Sequence, residues 1–236
     1  MKLGIMQPYF FPYLGYFSLI KHTDRFILFD PVQFIRHGWI ERNRTLKPGE
    51  GWQYIQVPLV KFARETNIVD VKINNTENWK NKIVAQLQHY KKLAPYYRSV
   101  MELLNNVFAD NYDDIVSLNK KSLEAVCKYL GFERNMEVYS KMNLQIEPVN
   151  APDEWALNIC KAIPGADEYI NPPGGQSFFD KSKYDKNNIK LEFLEINLHE
   201  YSQKRPVFEP GLSVIDVMMF NSPEEVSAML DDYKIL

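Results

Sequence analysis

The sequence has few cysteines, little net charge and no long apolar run, and each shortage excludes a class of protein. The two cysteines among its 236 residues, Cys127 and Cys160, are too far apart for a metal-binding pair. The formal net charge of −2 offers no basic surface for duplex nucleic acid. No segment approaches the roughly 20 apolar residues of a membrane span, and the N-terminus lacks the pattern of a signal peptide. We expect a cytoplasmic protein without a metal site.

Several catalytic motifs are also missing. The sequence contains no Gly-x-Ser-x-Gly elbow, no His-Glu-x-x-His pair, no Gly-Lys-Ser/Thr phosphate loop and no Gly-x-Gly-x-x-Gly dinucleotide loop. The histidines are scattered without metal-ligand spacing. A hydrolase triad or a zinc enzyme is therefore not supported.

Aromatic residues, in contrast, make up 14% of the chain, and they concentrate after the first predicted strand. Residues 7–16 contain five aromatic residues, two prolines and a glycine, whereas a turn that only reverses direction favours Gly, Asn, Asp or Ser. In α/β folds, ligands bind near the carboxyl end of such a strand. We predict a ligand site that includes Gln7, Tyr9, Tyr13, Gly15 and Tyr16.

The order of predicted elements indicates the fold class. Apolar runs predict strands at 2–7, 25–30, 52–58, 68–73, 136–140 and 188–196, with one more leading into Asn171. Only about eight residues separate the first two strands, so they should form a compact parallel βαβ unit. Helical periodicity covers 79–92, 97–108 and 112–130. We predict one α/β domain over 1–236 with a mainly parallel sheet, and a helical insert or lid over 78–131.

Two further segments carry candidate ligand contacts. After Asp30, the chain is too polar for a core, and its arginines are suited to phosphate or carboxylate. Near residue 171, two prolines followed by two glycines form a loop whose exposed N–H groups can hold an anion. The candidates in these segments are Gln33, His37, Arg42, Asn43, Arg44, Asn171, Gly174, Gly175 and Gln176.

The first turn also resembles a known nucleotide site. Nucleotidyltransferases and pantothenate synthetase-like ligases place a His-x-Gly-His motif after their first strand. Here the matching residues are Tyr13-Leu14-Gly15-Tyr16, with both histidines replaced by tyrosine. A tyrosine hydroxyl can donate a hydrogen bond to phosphate but brings no positive charge. The resemblance implies a nucleotide-binding core of the HUP or nucleotidyltransferase type.

Over essentially its whole length the chain resembles the WbqC-like protein family. The resemblance lies in residues 6–17, Asp30-Pro31-Val32-Gln33-Phe34, residues 38–44 and Asn171-Pro172-Pro173-Gly174-Gly175-Gln176. It continues in the segment from Tyr201-x-Gln203 to Asp216, which adds Gln203 to the candidate residues. The family is associated with bacterial gene clusters for O-antigen and other surface polysaccharides.

The resemblance and the predicted site together imply a function. The chain is expected to modify a nucleotide-linked amino sugar by N-acyl or N-aminoacyl transfer from an acyl or aminoacyl donor, with ATP as a candidate cosubstrate. In that case His37 or Asp30 would accept the amine proton, because a base poised near neutral pH is needed. Two alternatives remain: a non-catalytic nucleotide-sugar-binding partner of a glycosyltransferase, and a nucleotidyltransferase.

Overall fold

A six-stranded sheet forms the centre of the molecule in the computed structural model, which describes residues 1–236. Its order is β5-β2-β1-β6-β7-β8, and every neighbouring pair is parallel except β7 and β8. The sheet therefore confirms the predicted α/β class. The strands are β1 (Lys2–Met6), β2 (Arg25–Leu28), β5 (Met136–Val138), β6 (Glu168–Asn171), β7 (Lys190–Ile196) and β8 (Tyr233–Ile235).

Helices cover both faces of the sheet because the parallel strands are apolar on both sides. One face packs against α1 (Leu14–Lys21), α7 (Val214–Phe220) and α8 (Pro223–Met229). The other face packs against α5 (Glu154–Ala162) and α6 (Lys181–Asp185). No helix of the structure combines the length and the apolar character that a membrane crossing requires.

A helical segment and a hairpin extend the first face. The helices α2 (Trp79–Gln86), α3 (Tyr97–Ala109) and α4 (Ile115–Tyr129) contribute buried residues to the same 49-residue core as α1 and the sheet. The strands β3 (Arg42–Leu46) and β4 (Trp52–Gln56) pair antiparallel. The helical segment thus shares its core with the rest of the chain, and its role as a lid stays a prediction.

One strand was predicted where the chain begins a 3-10 turn, and strand β3 was not predicted. The strand predicted at 68–73 is wrong, because this segment begins with the 3-10 turn Ile68–Asp70. The first two N–H groups of that turn donate to the carbonyls of Val32 and Asp30, so they are not available to a strand ladder. In contrast, β3 was missed because polar side chains occupy its buried positions, including Asn43 and Thr45.

The path of the chain through the sheet fixes where a ligand can bind. From β1 the chain moves outward to β2 and β5, then returns to the other side of β1 as β6. The carboxyl ends of β1 and β6 are therefore a topological switch point, where the connections leave in opposite directions. In open α/β sheets, ligands bind in the crevice at such a point.

Candidate functional site

A cavity of about 590 Å³ opens at this switch point. Its wall combines the turn after β1, the start of β3, the loop after β6 and a single glycine that precedes α7. This is a concave, largely apolar site of the size that small ligands occupy. It is lined by Met6, Tyr9, Pro12, Tyr13, Tyr16, Trp39, Asn43, Arg44, Asn171, Pro172, Pro173, Gly174, Gly175, Leu198 and Gly211.

The turn after β1 divides its aromatic residues between the core and the cavity. Phe10 and Phe11 are fully buried and pack edge to face, with ring centroids 4.9 Å apart. Phe11 has a φ of +40°, a conformation that a bulky residue adopts only when its surroundings impose it. The Asn43 amide donates to both phenylalanine carbonyls, at 3.1 and 3.0 Å, and the Ser213 hydroxyl donates to that of Phe11 at 2.7 Å. These contacts hold the turn in a strained shape that presents its tyrosines to the cavity.

The three tyrosines of the turn line the cavity in different ways. The Tyr16 ring is buried, and its hydroxyl donates to the Gln7 carbonyl at 2.8 Å. The Tyr13 ring lies directly on Gly15, where a Cβ atom would come within 2.5 Å of it. Burial raises the pKa of Tyr9, Tyr13 and Tyr16, so all three are neutral hydroxyls at physiological pH.

Arg44 is the one charged side chain that lines this cavity, which we call the arginine cavity. Its guanidinium lies 5.5 Å from the Trp39 ring centroid and 5.2 Å from that of Trp52, within cation–π range. One Nη atom donates to the Gly211 carbonyl at 3.0 Å, and the other Nη atom makes no hydrogen bond to the protein. An ordered arginine with unused donors is suited to a phosphate or carboxylate.

The loop after β6 closes the cavity from the opposite side. The Tyr169 hydroxyl donates to the Asn171 side chain at 3.0 Å, which fixes that amide beside the loop. Gly175 packs so closely that a Cβ atom there would lie 2.7 Å from Asn171 Nδ2. A Cβ atom at Gly174 would meet nothing within 4 Å, so this glycine is open to the cavity. The loop thus brings Asn171, Gly174 and Gly175 together at the cavity, and their role in binding a ligand stays a prediction.

The two predicted catalytic residues lie outside the arginine cavity. The Asp30 carboxylate is fully buried and accepts hydrogen bonds from the Ser140 N–H at 3.0 Å and the Ser140 hydroxyl at 2.6 Å. His37 is exposed on a turn and has a φ of +64°. Its backbone N–H donates to the Glu41 carboxylate at 3.2 Å. Neither side chain is placed to meet a ligand beside Arg44.

Other predicted binding residues are also placed away from this cavity. Arg42 stacks on the Tyr54 ring at 4.0 Å and donates to the His37 carbonyl at 2.6 Å. Gln176 is exposed on the 3-10 turn Pro173–Phe178. Gln7 and Gln33 line a second cavity, on the other face of the sheet.

Gln203 is a positioning residue, because its amide is used inside the protein. It donates to Asp216 at 3.2 Å and exchanges hydrogen bonds with the backbone of Glu209, at 3.0 and 2.9 Å. The Asp216 carboxylate also accepts from the hydroxyls of Tyr201, at 2.5 Å, and Tyr90. This buried network fixes the loop that carries Gly211 to Arg44.

Three residues that shape the site were not predicted from the sequence. Trp39 and Trp52 flank the Arg44 guanidinium, and Gly211 accepts its hydrogen bond. Trp39 adjoins Gly38 in one of the segments that carried the family resemblance, which was the available signal. Trp52 became identifiable only through the β3–β4 pairing, which places it opposite Leu46.

The sheet order and the cavity at its switch point define an α/β protein with a candidate ligand site. The chain belongs to the WbqC-like protein family, whose family model matches residues 7–228. It is 28% identical over 235 residues to an uncharacterized protein of Mycobacterium tuberculosis, covering 98% of this chain and 96% of that protein. No solved structure matches the chain.

Proposed function

We propose that the arginine cavity binds a nucleotide-linked amino sugar and positions it for N-acyl or N-aminoacyl transfer in surface polysaccharide synthesis. The observation that carries the proposal is the single arginine held between aromatic rings at the switch point. Arg44 supplies charge for a phosphate, and the surrounding rings of Tyr9 and Tyr13 supply flat apolar surface for a base. The HUP-like nucleotide-binding core is part of this proposal.

The residues of the cavity indicate how such a transfer would be assisted. The sugar amine attacks the activated acyl carbon, a C–N bond forms, the bond to the leaving group breaks, and the amine proton passes to solvent or to the leaving group. No carboxylate, imidazole or thiol lines the arginine cavity. Catalysis therefore depends on holding the neutral amine and the donor in reactive geometry, an effect that can contribute several kcal/mol.

The same observation favours a second candidate, a non-catalytic nucleotide-sugar-binding protein that serves a glycosyltransferase. A cavity without a general base has all that binding requires. A nucleotidyltransferase has less support, because tyrosines occupy the positions of both motif histidines and Arg44 is the only cation of the cavity.

One experiment distinguishes these functions. The protein is incubated with a nucleotide-linked amino sugar, an amino acid and ATP, or with the sugar and an acyl-coenzyme A. We expect a new amide mass, accompanied by AMP if ATP drives the reaction. A rise in melting temperature with the nucleotide sugar but no turnover with any donor favours the binding candidate. If the melting temperature does not respond to any nucleotide sugar, both candidates are contradicted.

A further inference from the structure

The second cavity, of about 610 Å³, lies at the same edge of the sheet as the arginine cavity but on the opposite face. Adjacent residues of a strand point to opposite faces, and at the end of β1 this alternation separates the cavities. Met6 lines the arginine cavity, whereas Ile5 and Gln7 line the second one. The carboxyl end of β1 is therefore the partition between them.

Asn171 joins the two cavities, because it lines both. The loop that follows it continues on both sides of the sheet edge. Pro172 to Gly175 line the arginine cavity, and Phe178 and Phe179 line the second one. The cavities thus flank the carboxyl ends of β1 and β6, one on each face of the sheet, with Asn171 common to both.

The second cavity differs from the first in carrying no charged side chain. Five of its lining residues are aromatic and four are carboxamides. The Gln7 and Asn150 residues make protein hydrogen bonds through their backbone, which leaves their side-chain amides for a ligand. A carboxamide can both donate and accept, as a sugar hydroxyl does, and an aromatic ring packs against the C–H face of a pyranose. The two sets are Phe29, Trp155, Tyr169, Phe178 and Phe179, and Gln7, Gln33, Asn150 and Asn171.

We propose that this neutral cavity binds the uncharged pyranose ring of the ligand whose anionic part contacts Arg44. The proposal rests on the proposed function, since it assigns the two parts of a nucleotide-linked sugar to the two cavities. The neutral cavity offers an ionic group no opposite charge, so it is better suited to an uncharged part of the ligand. The glycosyl phosphate link between the two parts would then lie near Asn171, where the cavities meet.

Two exposed residues of the neutral cavity allow a test that preserves the fold. The Phe178 side chain is 53% exposed and Asn150 is also exposed, so alanine at either position removes little buried surface. Calorimetry measures Kd for UDP-, dTDP-, GDP- and CMP-linked sugars and for the matching free nucleotides. Val207→Ala, at a 68% exposed position outside both cavities, is the control.

We expect the variants to distinguish binding of the sugar part of the ligand from binding of its nucleotide part. Phe178→Ala and Asn150→Ala should each raise Kd for the nucleotide sugar by roughly tenfold. Kd for the free nucleotide should stay within about twofold of the wild-type value. Arg44→Ala should raise Kd for the nucleotide sugar and for the free nucleotide by the same factor. The inference is overturned if the wild type binds nucleotide sugar and free nucleotide with equal Kd. It is also overturned if Phe178→Ala and Asn150→Ala change Kd for both ligands equally, or change neither. In each of these cases the proposed function stands. If no ligand of the panel binds wild type, both are overturned.

Discussion

Two clusters of tyrosine with polar partners lie on the same side of the sheet, and they use their polar atoms in opposite ways. Around Asp216, the side chains of Tyr90, Tyr201 and Gln203 direct their hydrogen bonds at one another and at the backbone. In the arginine cavity, Arg44 makes one hydrogen bond through one Nη atom and leaves the other Nη atom without a protein partner. The first cluster is a scaffold, whereas the second has capacity left for a ligand.

A polar motif in a sequence does not reveal which of these two roles it has. Gln203 and Arg44 both lie in segments that carried the family resemblance. Only the count of hydrogen bonds made and left open separates them. Buried polar groups that are satisfied fix a unique structure, whereas an accessible donor that the protein leaves open can bind a ligand.

The largest effect should come from breaking the scaffold. Asp216→Ala leaves the hydroxyls of Tyr90 and Tyr201 buried without their acceptor, and each such group costs about 1–3 kcal/mol. We expect the free energy of unfolding in urea to fall by about 3 kcal/mol. The control Glu50→Ala removes an exposed carboxylate and should change it by less than about 0.5 kcal/mol. Equal stability of the two variants would show that the network is not a scaffold.

The difference between the scaffold and the candidate site also explains which features could be predicted from the sequence. The alternation of apolar runs and helical periods predicted the parallel β1–β2 pair, because local pattern encodes it. The same pattern indicated the turn after β1, which lines the candidate site. The Asp30 contact with Ser140 joins positions 110 residues apart, so no local sequence pattern predicts it. The burial of Gln203 depends in the same way on Asp216 and on the Glu209 backbone.

Substitutions in the arginine cavity should change the affinity for the ligand and not the stability of the fold. Arg44→Ala removes the charged donor of the arginine cavity, and charge-assisted hydrogen bonds contribute about 1.5–3 kcal/mol. We therefore expect Kd for a nucleotide sugar to rise by about 10- to 100-fold in calorimetry. Arg42→Ala is the matched control on the same strand, since Arg42 stacks on Tyr54 outside the cavity. A similar loss of affinity in both variants would mean that general surface charge, and not the Arg44 site, attracts the ligand.

The scaffold should also have a pH dependence that the site lacks. Burial raises the pKa of Asp216 above its value in the unfolded chain, against the opposing effect of its hydrogen-bond donors. The unfolded state then releases the proton first as pH rises, so the contribution of Asp216 to stability is full at low pH. It declines as pH rises from the ordinary Asp value of about 4 toward the raised one.

Comparison with Asp216→Asn isolates this contribution in urea unfolding at a series of pH values. The difference in unfolding free energy, wild type minus variant, should decrease with rising pH over that window and then stay constant. An increase with pH would show that the hydrogen bonds from Tyr90, Tyr201 and Gln203 outweigh burial and lower the pKa instead.

The smallest and sharpest test lies at two neighbouring tyrosines that combine both roles. The Tyr16 hydroxyl donates to the Gln7 carbonyl inside the turn, so Tyr16→Phe should reduce the unfolding free energy by about 1 kcal/mol and change ligand Kd by less than about threefold. Tyr13 lines the cavity, and its hydroxyl makes no hydrogen bond to the protein. Tyr13→Phe should therefore leave stability unchanged and weaken ligand binding by several-fold. The reverse pattern would place the ligand contact at Tyr16, where the nucleotide-site motif has its second histidine, and would make Tyr13 part of the scaffold.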